Sequence, residues 1–348
     1  MAAPLPYLSA ALPGTGGALR ASDEDFAVEE IPAYLPAGEG PHVFAWIEKR
    51  GVNTMQAVRE LARAVGVPER DIGTAGLKDR HAVTRQWLSF PPPLTPEKVA
   101  AAEARGVRVL RAERHGNKLR TGHLRGNRFT IVVRELACPA DEAAARAAAV
   151  LAALAEAPGS PNWYGEQRFG AAGDNAAVGR ALLDGGGGRC GTRERRLMVS
   201  AYQSELFNRY LARRIEAGDY RRVIDGDILA KDSGASFATT EPAVDQARLE
   251  AGEITPTGPM FGHSMRQPVD GSEAAAREAA LLADEGITLE SFRRLGQIAP
   301  GARRPIAVKL DGATARAVGP EAIALDFALP AGAYATAVLR EVMKTGEA

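Results

Sequence analysis

Asp79 lies directly between two cations, in Lys78-Asp79-Arg80, with His81 next, inside the stretch Gly73-Thr-Ala-Gly-Leu-Lys-Asp-Arg-His-Ala-Val-Thr84 that runs on into Arg85-Gln86-Trp87. Opposite charge nearby favours the ionised form of a carboxyl whose ordinary pKa is ~3.9. An aspartate so placed is an anion at neutral pH, suited to act as nucleophile or base and unsuited to donate a proton. The plain alternative is a solvated turn whose charges aid solubility. The apolar stretch that stops at Gly73 and the second glycine at Gly76 weigh against it.

Other chemistries find no anchor. The five histidines, His42, His81, His115, His123 and His263, form no metal-binding pair on a helix, and no Gly-x-Ser-x-Gly elbow is present. Gly186 to Gly191 has the letters of a dinucleotide loop, but the preceding Val178 to Leu183 reads as helix where a strand is required. Gly165 and Gly170 have phosphate-loop spacing, yet Ala171 stands where lysine is needed. Cys138 and Cys190 are too far apart to suggest a zinc site or a disulfide framework. A carboxylate mechanism without metal or cofactor remains.

The elements that must hold Asp79 are legible. Val43 to Glu48 predicts a strand, and Thr54 predicts a cap for a helix over Met55 to Val65, with Ala57, Val58, Leu61 and Val65 at helical spacing. Gln86 to Phe90 predicts a strand closed by Pro91 to Pro93, which leaves Asp79 in the loop between a helical unit and a strand. Arg128 to Arg134 is a β-branched strand, and Asp141 to Ala157 an alanine-rich helix ended by Pro158-Gly159. From Pro161 to about Pro305 the texture is largely helical, with a glycine loop at 185 to 188 and proline punctuation from Thr255 to Pro259. Strand character returns at Arg304 to Lys309 and Ala322 to Phe327, followed by a helix over Tyr334 to Met343. By pattern alone this is a mixed α and β protein.

The chain has 43 basic and 43 acidic residues in 348, so any nucleic-acid partner must be met by local charge. Between Glu103 and Arg128 eight bases, Arg105, Arg108, Arg111, Arg114, Lys118, Arg120, Arg125 and Arg128, face two acids. A second group comprises Arg189, Arg193, Arg195, Arg196, Arg209, Arg213, Arg214, Arg221 and Arg222. Either could be an ordinary solvated or ion-paired face; together they suggest a surface for a phosphate backbone. No apolar run reaches membrane-span length and the N-terminus lacks a secretion signal, so a cytoplasmic protein is expected.

The Gly73 to Trp87 stretch resembles the signature of the tRNA pseudouridine synthase D family, whose catalytic aspartate falls on Asp79. Similar blocks follow the family's order at Asp25-Phe26-Ala-Val-Glu29, Gly126-Asn127-Arg-Phe129, Asn162-Trp-Tyr-Gly-Glu-Gln-Arg-Phe-Gly170, Thr257-Gly-Pro-Met-Phe-Gly262 and Leu329 to Thr336. The resemblance implies an α+β fold: a catalytic domain of residues 1–158 and 306–348, with a mixed, mainly antiparallel sheet, interrupted by a mostly helical inserted domain, 159–305. It implies isomerisation of uridine 13 of tRNA, no cofactor, no obligatory protein partner, no membrane and a monomer. Its further site residues fall on Arg20, where the family often has lysine and where the retained charge implies a salt bridge to Asp79, and on Phe26, Lys78, Arg80, Asn127, Phe129, Gln167, Arg168 and Phe169. Phe129 matches the aromatic on which the target base is held, and Lys78 and Arg80 would tune Asp79 or contact phosphate. The basic clusters alone would equally support a non-catalytic RNA-binding protein or RNA chaperone.

Overall fold

Runs of β-branched and aromatic residues form the central strands His42–Arg50, Val83–Phe90 and Leu124–Leu136. The computed structural model describes residues 4–186 and 191–345. Its first strands are β1 (Gly16–Leu19), β2 (Phe26–Pro32), β3 (His42–Arg50), β4 (Gly73–Thr74), β5 (Val83–Phe90), β6 (Val107–His115) and β7 (Leu124–Leu136). Then come β8 (Ser160–Pro161), β9 (Ile228–Lys231), β10 (Ser236–Ala238), β11 (Ile254–Met260), β12 (Ala302–Pro305) and β13 (Ala307–Val308). The last are β14 (Asp311–Ala317) and β15 (Ala322–Pro330). The described residues form two compact units, one of 13–151, 310–333 and 342–345, the other of 4–12, 152–186, 191–309 and 334–341.

The first unit holds a nine-stranded sheet in the order β14-β15-β7-β2-β5-β3-β6, with β1 added to β7 and β4 to β5. Only β2 and β5 run parallel; the other pairs are antiparallel. A parallel neighbour demands a crossover. Here the crossover from β2 to β5 includes β3, the helix Thr54–Val65 and the loop that carries Asp79. The buried helix face, Ala57, Val58, Leu61 and Val65, packs with Val43, Ala45 and Ile47 of β3 and Leu88 and Phe90 of β5. Each such valine or leucine contributes ~1.5–3 kcal/mol of burial.

The capping residue of that helix is Asn53, one position earlier than the sequence predicts. Asn53 Oδ1 accepts from Gln56 N at 2.8 Å while Gln56 Oε1 accepts from Asn53 N at 3.0 Å. Thr54 is thereby released, and its hydroxyl turns inward.

In the second unit the helix Thr192–Glu216 buries Val199, Tyr202, Leu206, Phe207, Tyr210 and Leu211. A four-stranded sheet runs β10-β9-β11-β12. Here the proline punctuation expected at Thr255 to Pro259 is a strand, β11. It pairs with β9 only through Ile254 to Pro256 and with β12 only from Thr257 onward, so each half has one open side that tolerates a residue without an N–H. The glycine loop at 185 to 188 and Cys190 lie partly or wholly outside the described residues. Among the described residues no helix is long and apolar enough to cross a membrane.

Candidate functional site

The loop from Ala75 to Ala82 is tied down at successive positions by buried groups. Gln86 Nε2 donates to Gly76 O at 3.2 Å, and Lys78 N donates to Thr54 Oγ1 at 2.8 Å. Thr54 Oγ1 in turn donates to Gln86 Oε1 at 2.9 Å. Lys78 turns its side chain inward to Glu30, Nζ to Oε2 3.1 Å, with both side chains buried. Burial raises the Glu30 carboxyl above its ordinary value, an effect that the Lys78 charge opposes. Lys49 Nζ donates to the main-chain carbonyl of Asp79 at 2.5 Å and to that of Val52 at 2.9 Å.

Thus fixed, the loop inverts the usual burial preferences: Leu77 is 71% exposed while Lys78 is 8% exposed. The Asp79 carboxylate is half-exposed and meets Arg20, Nη2 to Oδ2 3.4 Å. The cation beside it is therefore Arg20, 59 residues away in sequence, and not the adjacent Lys78. Successive side chains of an extended segment point to opposite sides, so a charge next in sequence need not be near in space. Arg80 donates from Nε to Gly51 O at 3.0 Å, and His81 is exposed with Nδ1 4.0 Å from Asp23 Oδ1.

Arg20 sits just past β1 with φ 61, a left-handed conformation that a non-glycine residue adopts at a cost of ~1–3 kcal/mol. Its guanidinium lies 4.5 Å from the centre of the Phe26 ring. Phe26 meets Phe129 edge-on at 6.4 Å, and Phe129 stacks on Phe327 at 5.4 Å. Phe129 is buried, with 7% exposure. In register, Asn127 lies opposite Glu30 of β2 and Leu329 of β15, so Asn127, Phe129, Glu30 and Phe26 share one face of the sheet. Asn127 Oδ1 and Thr84 Oγ1, on the same face, are buried without a protein hydrogen-bond partner.

Arg20, Phe26, Lys78, Asp79 and Arg80 are thus joined by direct contacts or by the loop, with Asn127 and Phe129 on the adjoining strand. Gln167, Arg168 and Phe169 belong to the other compact unit. There Arg168 Nε donates to Ser204 Oγ at 2.9 Å and its Nη2 donates to Ser200 Oγ. Its guanidinium is 5.5 Å from the Tyr164 ring centre, while Arg304 lies closer over that ring, at 4.1 Å. Gln167 is exposed and Phe169 half-buried.

The two basic groups differ. Arg214 is buried in a bidentate pair with Asp227, both contacts 2.7 Å, which holds the guanidinium strongly protonated. Arg209 pairs with Glu205 and Glu285, Arg213 with Asp284, Arg221 with Glu156 and Arg222 with Asp219. For these the ion-pair reading displaces the phosphate one. In the segment 103–128 the ion pair among the described residues is Arg111 with Glu113, and Arg105, Arg108, Arg120, Arg125 and Arg128 are exposed. This segment adjoins the Asp79 loop: Gly122 N donates to Ala75 O at 2.8 Å.

Glu30 and Lys49 escape the motif reading, and Thr54 and Gln86 read only as a cap and a strand residue. For Glu30 and Lys49 the signal is parity. Lys49 continues the inward series Val43, Ala45, Ile47, and Glu30 the series Phe26, Val28, so each is a charge on an apolar face.

The family model described as tRNA pseudouridine synthase D (TruD) matches residues 4–187 and 191–342. The chain belongs to that family. It is 53% identical to the tRNA pseudouridine synthase D of Anaeromyxobacter dehalogenans strain 2CP-C, over 98% of this chain and 96% of the relative. It is 45% identical to that of Thermus thermophilus, over 97% and 92%. A crystal structure of a Methanosarcina mazei protein assigned to TruD superposes with TM-score 0.82 at 24% identity, covering 98% of this chain and 96% of that one, and shares the fold. Membership makes the protein a pseudouridine synthase, an isomerase, with the mainly antiparallel sheet that the resemblance implied.

Proposed function

We propose that the enzyme converts uridine to pseudouridine in tRNA, at uridine 13, with Asp79 as the reacting carboxylate and no cofactor. The observation that carries this reading is the Asp79 geometry: a half-exposed carboxylate, paired with Arg20 at 3.4 Å, on a loop fixed by buried hydrogen bonds. Isomerisation breaks the bond from ribose carbon 1′ to uracil N1, turns the base in place and joins carbon 1′ to carbon 5, whose hydrogen leaves as a proton. Asp79 acts on the ribose, either as nucleophile at carbon 1′ or by taking a ribose proton. The target base must leave its stack first. The Phe26, Phe129 and Phe327 cluster backs the site through its contact with Arg20, Asn127 lies beside it, and Arg80 and the exposed arginines at 120 and 125 are suited to phosphates. Gln167, Arg168 and Phe169, in an inserted part, 159–305, are proposed to bind the RNA as well. A cytoplasmic monomer that needs no protein partner belongs to the same proposal.

Release of tritium from carbon 5 of labelled uridine in unmodified tRNA tests it. Wild type should release tritium and Asp79→Asn should not while still binding the RNA. Release by Asp79→Asn at the wild-type rate would remove Asp79 from the chemistry, and product at another uridine would displace position 13.

A further inference from the structure

Lys49 is buried to 1% exposure, yet its ammonium reaches the main-chain carbonyl of Asp79 itself, at 2.5 Å. The second carbonyl it holds, Val52 O at 2.9 Å, ends the β3 turn that leads into the helix Thr54–Val65. One cation therefore ties the start of that helix to the reacting loop. It stands at the end of a strand whose other inward residues, Val43, Ala45 and Ile47, are fully buried and apolar, opposite Thr84 of β5 and Val107 of β6. A charge in such surroundings is costly unless it is used.

We propose that Lys49 is a positioning residue for the isomerisation, its protonated side chain fixing the Asp79 main chain and placing positive charge beneath the carboxylate. This rests on the reading that Asp79 is the reacting carboxylate. Arg20 meets the carboxylate itself; Lys49 acts on the backbone that bears it. The charged groups that bear on Lys49 are Asp79 and Asp23, which favour the ammonium, and Lys78, which opposes it. Burial outweighs them and brings the Lys49 ammonium down to about 8. Loss of its proton in the mildly alkaline range removes the charge and one donor from the loop. A methionine, similar in length, removes both at every pH.

The test is the single-turnover rate of pseudouridine formation at saturating enzyme between pH 6 and 10, for wild type, Lys49→Met, Lys49→Arg and Asp79→Asn, with RNA affinity and thermal unfolding measured on each. Wild type should lose rate above pH about 8, approaching tenfold per pH unit, and Lys49→Met should be slower at pH 7 by about 10²-fold, the scale of a small misplacement of a reacting group. Its RNA affinity should stay within threefold of wild type, and its profile should lack the fall near pH 8. Lys49→Arg, which keeps the charge, should not fall there either. Lys49→Met within threefold of the wild-type rate at pH 7 would overturn the proposal. So would a fall near pH 8 that persists in Lys49→Met, since it would belong to the RNA or to another group. Where Lys49→Met fails to fold, a wild-type profile flat to pH 9.5, or a Lys49→Arg profile superimposable on wild type, would overturn it equally. An active Asp79→Asn would instead sink the reading of Asp79, whatever Lys49 does.

Discussion

Replacing Lys78 by methionine strands the Glu30 carboxylate in a site where both side chains are almost wholly buried. Removing one member of such a pair costs ~3–5 kcal/mol, because the remaining charge keeps its desolvation penalty and loses its partner. Replacing both, as Glu30→Leu with Lys78→Met, removes the penalty together with the pair. The remaining loss is the Trp87 N–H, which donates to Glu30 Oε1 at 3.3 Å and would forfeit ~1–3 kcal/mol. Denaturant unfolding should place Lys78→Met at ~3–5 kcal/mol below wild type, with the double variant only ~1–3 kcal/mol below it. The double-mutant cycle should thus give a coupling of at least ~2 kcal/mol. The pH dependence adds a sign. Glu30 is raised above 4.5 by burial, so above that pH the folded state binds more protons than the unfolded one, and stability falls as pH rises through the interval between the two values. Without Lys78 the interval widens, and Lys78→Met should be more destabilised at pH 8 than at pH 5. A Lys78→Met protein within about 1 kcal/mol of wild type at pH 8, or an additive cycle, would refute the account of the loop as anchored by this pair.

Four further outcomes follow from the same geometry. Thr54→Val, which deprives Lys78 N of its acceptor and Gln86 Oε1 of its donor, should cost ~1–3 kcal/mol by denaturant midpoint, and an unchanged midpoint would contradict it. Lys49 is depressed to about 8, so the unfolded chain binds more protons from there up to 10.5; wild type should gain stability over Lys49→Met by about 1 kcal/mol per pH unit in that window, and no such divergence would count against the burial. Leu77→Ser should change stability by less than ~0.5 kcal/mol, since the side chain is 71% exposed, yet lower kcat/KM about tenfold if the loop meets RNA; equal kcat/KM would show that it does not. Arg120→Ala and Arg125→Ala should each reduce the salt slope of RNA binding by about 1, and unchanged slopes would move the phosphate path elsewhere.

The strands and helices around Asp79 were readable because each has a single strong period: the helix face Ala57, Val58, Leu61, Val65 formed where expected, and the strands expected at Val43 to Glu48 and Arg128 to Arg134 formed within the longer His42–Arg50 and Leu124–Leu136. The cap was misplaced by one residue because Asn53 and Thr54 are both good caps, and only tertiary structure decides which hydroxyl or amide is needed inside. The carboxylate was legible from the residues around it; its partner, Arg20, was legible only through the family resemblance. Charges adjacent in sequence suggested Lys78, whereas the fold turns Lys78 to Glu30 and brings Arg20 from another strand. Likewise, of the two readings open for the second arginine group, the ion-paired one holds for Arg209, Arg213, Arg214, Arg221 and Arg222, whose carboxylates lie on segments 219–227 and 284–285 among others. Pairings at long sequence separation leave no local signature, and the buried polar residues under the loop announced themselves only by standing on the wrong face of their strands.

The placement of β15 bears on how the enzyme comes into being. β7 spans Leu124 to Leu136 and is covered along nine consecutive residues by a strand that ends at Pro330. During synthesis, Arg20, Asp79 and Phe129 are all joined to the chain about 200 residues or more before Phe327, the ring that closes over Phe129. Throughout that interval a long apolar strand edge, the kind that recruits other chains, has no mate. A message truncated before residue 322 therefore yields a sticky fragment in place of a weak enzyme.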